Sequence, residues 1–143
     1  MKGPRFQHGD QQIVVLGLGS GSLAGGQPSG TWVFVLQAFG QTTVAAKGEY
    51  RGGQPHGRWE THWNNGAIHR VCHVERGVLH GAYEERHHGG ELVLRGEYAA
   101  GNRQGIWVRH HPNGQRAEEG AYESNERCGT WREWHDNGQL KRE

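Results

Sequence analysis

The chain reads as an all-β protein, an elongated antiparallel meander of β-hairpins that recur every 24 residues. Three observations predict this. From Gly48 onward the sequence aligns without a gap in four rows, 48–71, 72–95, 96–119 and 120–143. Inside each row the apolar residues recur with a period of two, which is the period of a strand and not of a helix. Leu, Ile, Val and Phe make up only 24 of 143 residues, too few for a thick core, whereas 25 Gly and six Trp suit a thin sheet anchored by aromatic rings.

Each column of the rows has a structural reading. The tenth position is Gly57, Gly81, Gly105 or Gly129, and two places on stands Trp59, Tyr83, Trp107 or Trp131. The nineteenth is Gly66, Gly90, Gly114 or Gly138, preceded by Asn65, Gly89, Asn113 or Asn137. These columns are expected to be structural. The aromatic column stacks one hairpin on the next, and Gly48, Gly96 and Gly120 leave room for a neighbouring ring to lie flat. In 58–63, Trp59, Thr61 and Trp63 are expected on one face. Asn-Gly then turns the chain as a tight hairpin, and a second glycine-bearing loop such as 100–105 leads onward. A single hairpin is marginal, so stability must come from units stacked side by side.

A worn copy lies upstream. Residues 25–32, Gly-Gly-Gln-Pro-Ser-Gly-Thr-Trp, repeat 52–59, Gly-Gly-Gln-Pro-His-Gly-Arg-Trp, at an offset of 27. That offset implies about three extra residues near 38–42, and Phe6 to Asp10 suggest the tail of a half unit. Residues 1–47 thus form an apolar, degenerate N-terminal repeat or cap. They hold 13 of the 24 large aliphatic and Phe residues but only four of the 31 charged ones. Trp32, Phe34 and Leu36 alternate with Val33 and Val35, so this strand is apolar on both faces and must be covered on both, by its own chain or by a partner.

The pattern Gly-x-Trp, then Asn-Gly, then an aliphatic residue and Glu-Tyr-x-x-Gly resembles the MORN repeat. It is most similar to the bacterial variant often described as the antitoxin component of toxin–antitoxin systems. The resemblance covers 48–143 well and 21–47 weakly. It implies a hairpin array that binds a protein and catalyses nothing. The second unit departs from the pattern at Cys72-His73-Val74 and Gly89-Gly90. The family's second aromatic stands here as His62, Arg86, His110 and Trp134, which would break an aromatic groove.

Several functions are set aside by composition. A net charge of +1 gives no electrostatic reason to expect nucleic acid and little attraction to anionic lipid. Ile13 to Leu16 is far too short a run to cross a membrane, and Met1 to Asp10 lacks the apolar stretch of a signal peptide, so a cytoplasmic setting is expected. Cys72 and Cys128 fall in different columns, and neither a disulfide nor an activated nucleophile is expected. Gly17 to Ser22 has the look of a dinucleotide loop but lacks the third glycine and a following helix. Glu84-Glu85 and Glu118-Glu119 point to opposite faces of their strands and read as solubility charges.

His87, His111 and His135 share the sixteenth column with Trp63. Equivalent strands lie two spacings apart, about 9–10 Å, which is too far for one ion without curvature. No metal and no cofactor is therefore expected, and these three are the candidates should one bind. The expectation is a non-enzymatic protein-binding module of antitoxin or immunity type, covering a toxin or assembly component through the sheet face or an edge strand. Trp63, Trp134, Trp32, Phe34 and Leu36 are the candidate contacts. The alternatives are a scaffold that self-assembles into homo-oligomers through its apolar N-terminal strands, or a membrane-associated protein of the same type.

Overall fold

The computed structural model describes residues 5–8, 11–14, 18–38 and 40–143, and among them it contains strands and turns but no helix. β1 (Arg5–His8) and β2 (Gln11–Val14) form one hairpin. There follow β3 (Leu18–Ala24), β4 (Gln27–Ala38), β5 (Gln41–Arg51), β6 (Gln54–His62), β7 (Ile68–Glu75), β8 (Val78–Arg86) and β9 (Leu92–Ala99). β10 (Asn102–His110), β11 (Arg116–Glu123), β12 (Glu126–Trp134) and β13 (Leu140–Arg142) complete the chain. From β3 to β13 every strand lies beside its neighbour in sequence, antiparallel to it, in one open meander. The expected all-β meander is what forms.

The two kinds of turn are the reverse of the sequence expectation. The tight ones are the unit-to-unit connections, where two residues join paired strands at Gly52-Gly53, Arg76-Gly77, Ala100-Gly101 and Ser124-Asn125. All eight residues have positive φ, from 47° to 85°, the type I′ geometry whose twist matches paired strands. The Asn-Gly segments are instead five-residue loops. In the first, Trp63 N–H donates to Ala67 O at 2.8 Å and Gly66 N–H donates to Trp63 O at 2.9 Å. Asn65 Oδ1 accepts from Ala67 N–H at 2.9 Å, so the asparagine serves as a side-chain staple and only the glycine takes positive φ. Trp63 sits in this loop beyond the end of β6, and not on a strand face with Trp59.

The glycine columns answer to two different demands. Gly57, Gly81, Gly105 and Gly129 have φ between 67° and 102° and mark β-bulges where the register shifts. Each bulge sets three residues of the aromatic strand against one of its partner, which swings the ring back over the preceding strand. Gly48, Gly96 and Gly120 are there for space. A Cβ on them would come within 2.0–2.2 Å of the rings of Trp59, Trp107 and Trp131. Each indole also donates Nε1–H to the carbonyl one residue past its glycine, Glu49, Glu97 or Ala121, at 3.0–3.1 Å. The upstream copy keeps the same lock, with Trp32 over Gly21 and bonded to Ser22 O at 3.0 Å. In the second unit Cys72 stands in the glycine column, and the narrower ring of Tyr83 takes the place of an indole directly across from it.

Successive rings pack edge to face along the sheet, as Tyr50 does on Trp59 (5.3 Å between centroids), Tyr98 on Trp107 (5.2 Å) and Tyr122 on Trp131 (5.1 Å). Tyr50, Trp59, Tyr98 and Trp107, with Phe34, Ala46, Val74 and Leu79, belong to the core on one face of the sheet, and Tyr122 packs against it. Burial fades toward β12, where Arg127 covers the half-buried Trp131 ring at 4.0 Å.

The offset of 27 in the upstream unit has a simple cause. β4 and β5 have 12 and 11 residues, where β6 and β7 have nine and eight. Ala38 pairs directly with Gln41, so a two-residue connection replaces the five-residue loop. The longer hairpin overhangs the Asn-Gly loop of the next unit. The glycine run at its start is strand as well: Gly19 and Gly21 lie under Phe34 and Trp32, while Gly17 lies outside the described residues. The half unit expected around Phe6 is a hairpin off the meander path, and Gln7 of β1 pairs in parallel with Val78 at the start of β8.

Candidate interaction surface

The face of the sheet opposite the aromatic packing is largely polar, while Arg70, Glu85, Arg103 and Glu118 lie on the aromatic side. In the first 24-residue unit the polar face centres on Glu60, only 5% exposed. Arg58 Nη1 donates to Glu60 Oε2 at 2.6 Å, His62 Nε2 lies 3.0 Å from Oε1, and Lys47 Nζ lies 3.3 Å from Oε1. Burial pushes this carboxyl up, but the three donors together outweigh it and hold it below the usual carboxylate range.

Farther along, a shallow open groove of about 620 Å³ is lined by Val71, His73, Glu84, Arg95, Val108 and Glu119, with Ala82, Glu97 and Ile106 beside them. Val108 is its floor, 3% exposed, whereas Ile106 projects at 59%. The sequence reading passed over these residues. The signal was present all the same: Ile106 shares its column with Arg58, Ala82 and Thr130, and Val108 with Glu60, Glu84 and Arg132. Apolar residues in columns otherwise mostly polar mark a place where the outer face departs from a solvated surface.

The proposed contact residues divide. Trp32 and Phe34 are corrections, because both are buried in the aromatic core with ring centroids 6.3 Å apart and offer no surface to a partner. Leu36, farther along the same strand, is 44% exposed, Val44 beside it is also exposed, and Leu23 is exposed at the other end of the β3–β4 hairpin. Trp63 is half-buried, stacked on His69 at 3.9 Å, and donates Nε1–H to Arg86 O at 2.9 Å. The stack, with Arg70 beside it, favours neutral His69: burial first and Arg70 second lower its pKa against the pull of Glu85. Trp134 is half-buried on β12, six strands from β6, and the structure does not bring it near Trp63.

The His62, Arg86 and His110 column has a local task. Each donates to the carbonyl of its own loop glycine, Gly66, Gly90 or Gly114, at 2.9–3.1 Å. Two members of the sixteenth column tie one unit to the next, since His111 Nε2–H donates to Trp134 O at 2.8 Å as Trp63 Nε1–H does to Arg86 O. Among the described residues no group of three or more His, Cys, Asp and Glu is placed to hold a metal, and His87, His111 and His135 do not converge. Cys72 is buried, and burial pushes its thiol up to about 12; Cys128 is half-exposed, and both are free. No helix among the described residues is long and apolar enough to cross a membrane.

A family model described as the MORN repeat variant matches residues 127–143, which span most of β12, its five-residue loop and β13. No curated protein matches the chain. The same ring-over-glycine lock recurs in the first and third units and the same five-residue loop in the first three, so the segment similar to the MORN repeat variant is one copy of a hairpin repeated along the chain.

Proposed function

We propose that the chain is a non-enzymatic repeat module that binds a protein partner on the polar face of its sheet, in the manner of a bacterial antitoxin or immunity protein. The observation that carries this reading is the groove around Val108. It is broad, shallow and open, with an apolar floor, a projecting Ile106 and a rim of Arg95, Glu84, Glu97 and Glu119. An apolar centre ringed by charge is the anatomy of a protein interface, whereas small-molecule sites are concave and enclose their ligand. The similarity to the MORN repeat variant supports a repeat module and leaves the partner to experiment.

The test is co-expression with the toxic product of a gene beside its own. The native chain should restore growth, and Ile106→Asp should lose the rescue while remaining folded by circular dichroism. Native chain that neither rescues growth nor binds the co-expressed protein would sink the antitoxin reading. A second reading, self-assembly through the N-terminal strands, draws on exposed Leu23, Leu36 and Val44. Its test is whether Leu36→Asp lowers the mass in light scattering.

A further inference from the structure

One row of side chains on the polar face can be followed across five strands. Glu84 of β8 pairs with Arg95 of β9, Arg95 with Val108 of β10, Val108 with Glu119 of β11, and Glu119 with Arg132 of β12. Directly opposed residues project to the same side of a sheet, about 5 Å apart. The row therefore reads negative, positive, apolar, negative, positive. It changes sign on reflection through Val108: one step to either side lie Arg95 and Glu119, and two steps away lie Glu84 and Arg132.

A row with that property is complementary to a copy of itself. A two-fold axis parallel to β10 lays β9 of one molecule over β11 of the other. Arg95 then faces Glu119 of the second copy, and Glu84 faces its Arg132, twice each by symmetry. The rest of the row lacks this property. Val71, the next apolar position, is flanked by Glu60 and Glu84, so turning a copy about it would oppose carboxylates.

The apolar positions agree with the same axis. Ile106 lies on β10 one outward-facing position from Val108 and meets its own counterpart near the axis. Its cross-strand neighbour is Ala121, a small residue that leaves room for the opposing side chain. The charges are also free to engage. Arg95 is exposed and has no hydrogen bond or ion pair among the described residues. Among the described residues Glu119 is held only by Arg116 at 3.0 Å and Glu84 by Arg86 at 2.5 Å, both pairs partly open to water. Pairs screened by water in this way contribute little and give way to a better partner.

We infer that the polar face centred on Val108 and Ile106 is an isologous dimer surface, and that its occupant is a second copy of this chain. This rests on the reading of that face as a protein-binding surface and names the partner.

Sedimentation velocity over a range of concentrations tests it, with circular dichroism to confirm the fold. The native chain should dimerise, and salt should weaken the dimer because charge sets its register. Arg95→Glu and Glu119→Arg should each be monomeric, since each sets like charges across the axis. An equimolar mixture of the two should restore a heterodimer, because Glu at 95 of one variant then meets Arg at 119 of the other, while Glu119 of the first meets Arg95 of the second. Ile106→Asp should be monomeric and stay so in any mixture.

A native chain that stays monomeric at high concentration overturns the proposal. If that monomer still binds a different protein and Ile106→Asp abolishes the binding, the protein-binding reading stands while self-pairing falls. A dimer that persists in all three variants places the contact elsewhere, such as at the exposed N-terminal strands, and overturns the proposal. Folded single variants that lose the dimer but do not recover it on mixing overturn the two-fold arrangement.

Discussion

The indole of Trp59 lies flat on Gly48, one strand back, and donates Nε1–H to Glu49 O at 3.0 Å. A Cβ at Gly48 would sit 2.0 Å from the ring, far inside contact distance, and Trp59 is fully buried with no space into which to retreat. Gly48→Ala should therefore cost about 2–3 kcal/mol through overpacking and loss of the indole hydrogen bond. Thermal melts should record a fall of several degrees. Gly120→Ala meets the same geometry under Trp131, a ring only half-buried, so its melting temperature should fall clearly less. Equal losses at both sites would mean that space over glycine is not what the column supplies.

Glu60 makes a pH-dependent contribution whose sign can be worked out. Its carboxyl titrates lower in the folded chain than in the unfolded one, because the donors Arg58, His62 and Lys47 outweigh burial. Its stabilisation is thus complete above the unfolded carboxylate value, about 4.3, and is lost as pH falls through the lower folded one. Glu60→Gln should cost about 1–2 kcal/mol at pH 7, since Arg58 and Lys47 are half-exposed and turn to water once the carboxylate is gone. Denaturant melts should show a native-minus-variant difference at pH 5 that shrinks as the pH falls below about 4. A difference that grows as the pH falls from 5 to 3 would overturn the assignment.

The architecture was open to a reader of the sequence because a period of 24 repeats its errors as well as its signals: every column was sampled four times. Gly48, Gly96 and Gly120 pointed to flat rings for a reason that is purely steric, and Trp59, Trp107 and Trp131 lie there. The turns were misread because Asn-Gly is a hairpin signal only when two residues span the strands. Here Trp63 and Ala67 close a wider loop, and Ser124-Asn125 makes the tight turn with little glycine warning. The groove was hidden for a different reason. Alternation puts Ile106 and Val108 on the face opposite Trp107, but the bulges at Gly81 and Gly105 offset the pairing by two residues, so the neighbours that make a groove of them, Arg95 and Glu119, followed only once the register was known. Trp32 and Phe34 looked like exposed anchors because a strand apolar on both sides does not declare which side is covered.

The two thiols should separate cleanly by reagent. Cys72 lies beneath Tyr83, 2% exposed, with its thiol pushed up to about 12 by burial, so little thiolate exists at neutral pH. Cys128 is half-exposed on β12. Titration of native protein with an aromatic disulfide at pH 8 should show one thiol reacting promptly and a second only in denaturant. The same experiment on Cys72→Ser should leave the prompt phase intact. Prompt reaction of both thiols would contradict the packing of the second unit.

Asparagine links the loops across units at two places and is missing between them. Asn65 Nδ2 donates to His88 O at 2.8 Å and Asn113 Nδ2 donates to Asp136 O at 2.5 Å, each one unit ahead. Gly89 occupies the same column and can make neither that bond nor the Oδ1 staple that Asn65 gives Ala67. Its φ lies outside the left-handed region, so a side chain costs no backbone strain there. An added Cβ would meet only the carboxylate end of Glu91 at 2.7 Å, a flexible group free to turn into solvent. Gly89→Asn should therefore stabilise the chain by about 0.5–1.5 kcal/mol, from one or two new hydrogen bonds and a less flexible unfolded state. Gly89→Ala separates the two contributions, because it gains the second without the first. A melting temperature that rises for Asn and less for Ala bears out the ladder of loops, whereas equal rises would assign the whole effect to the unfolded chain.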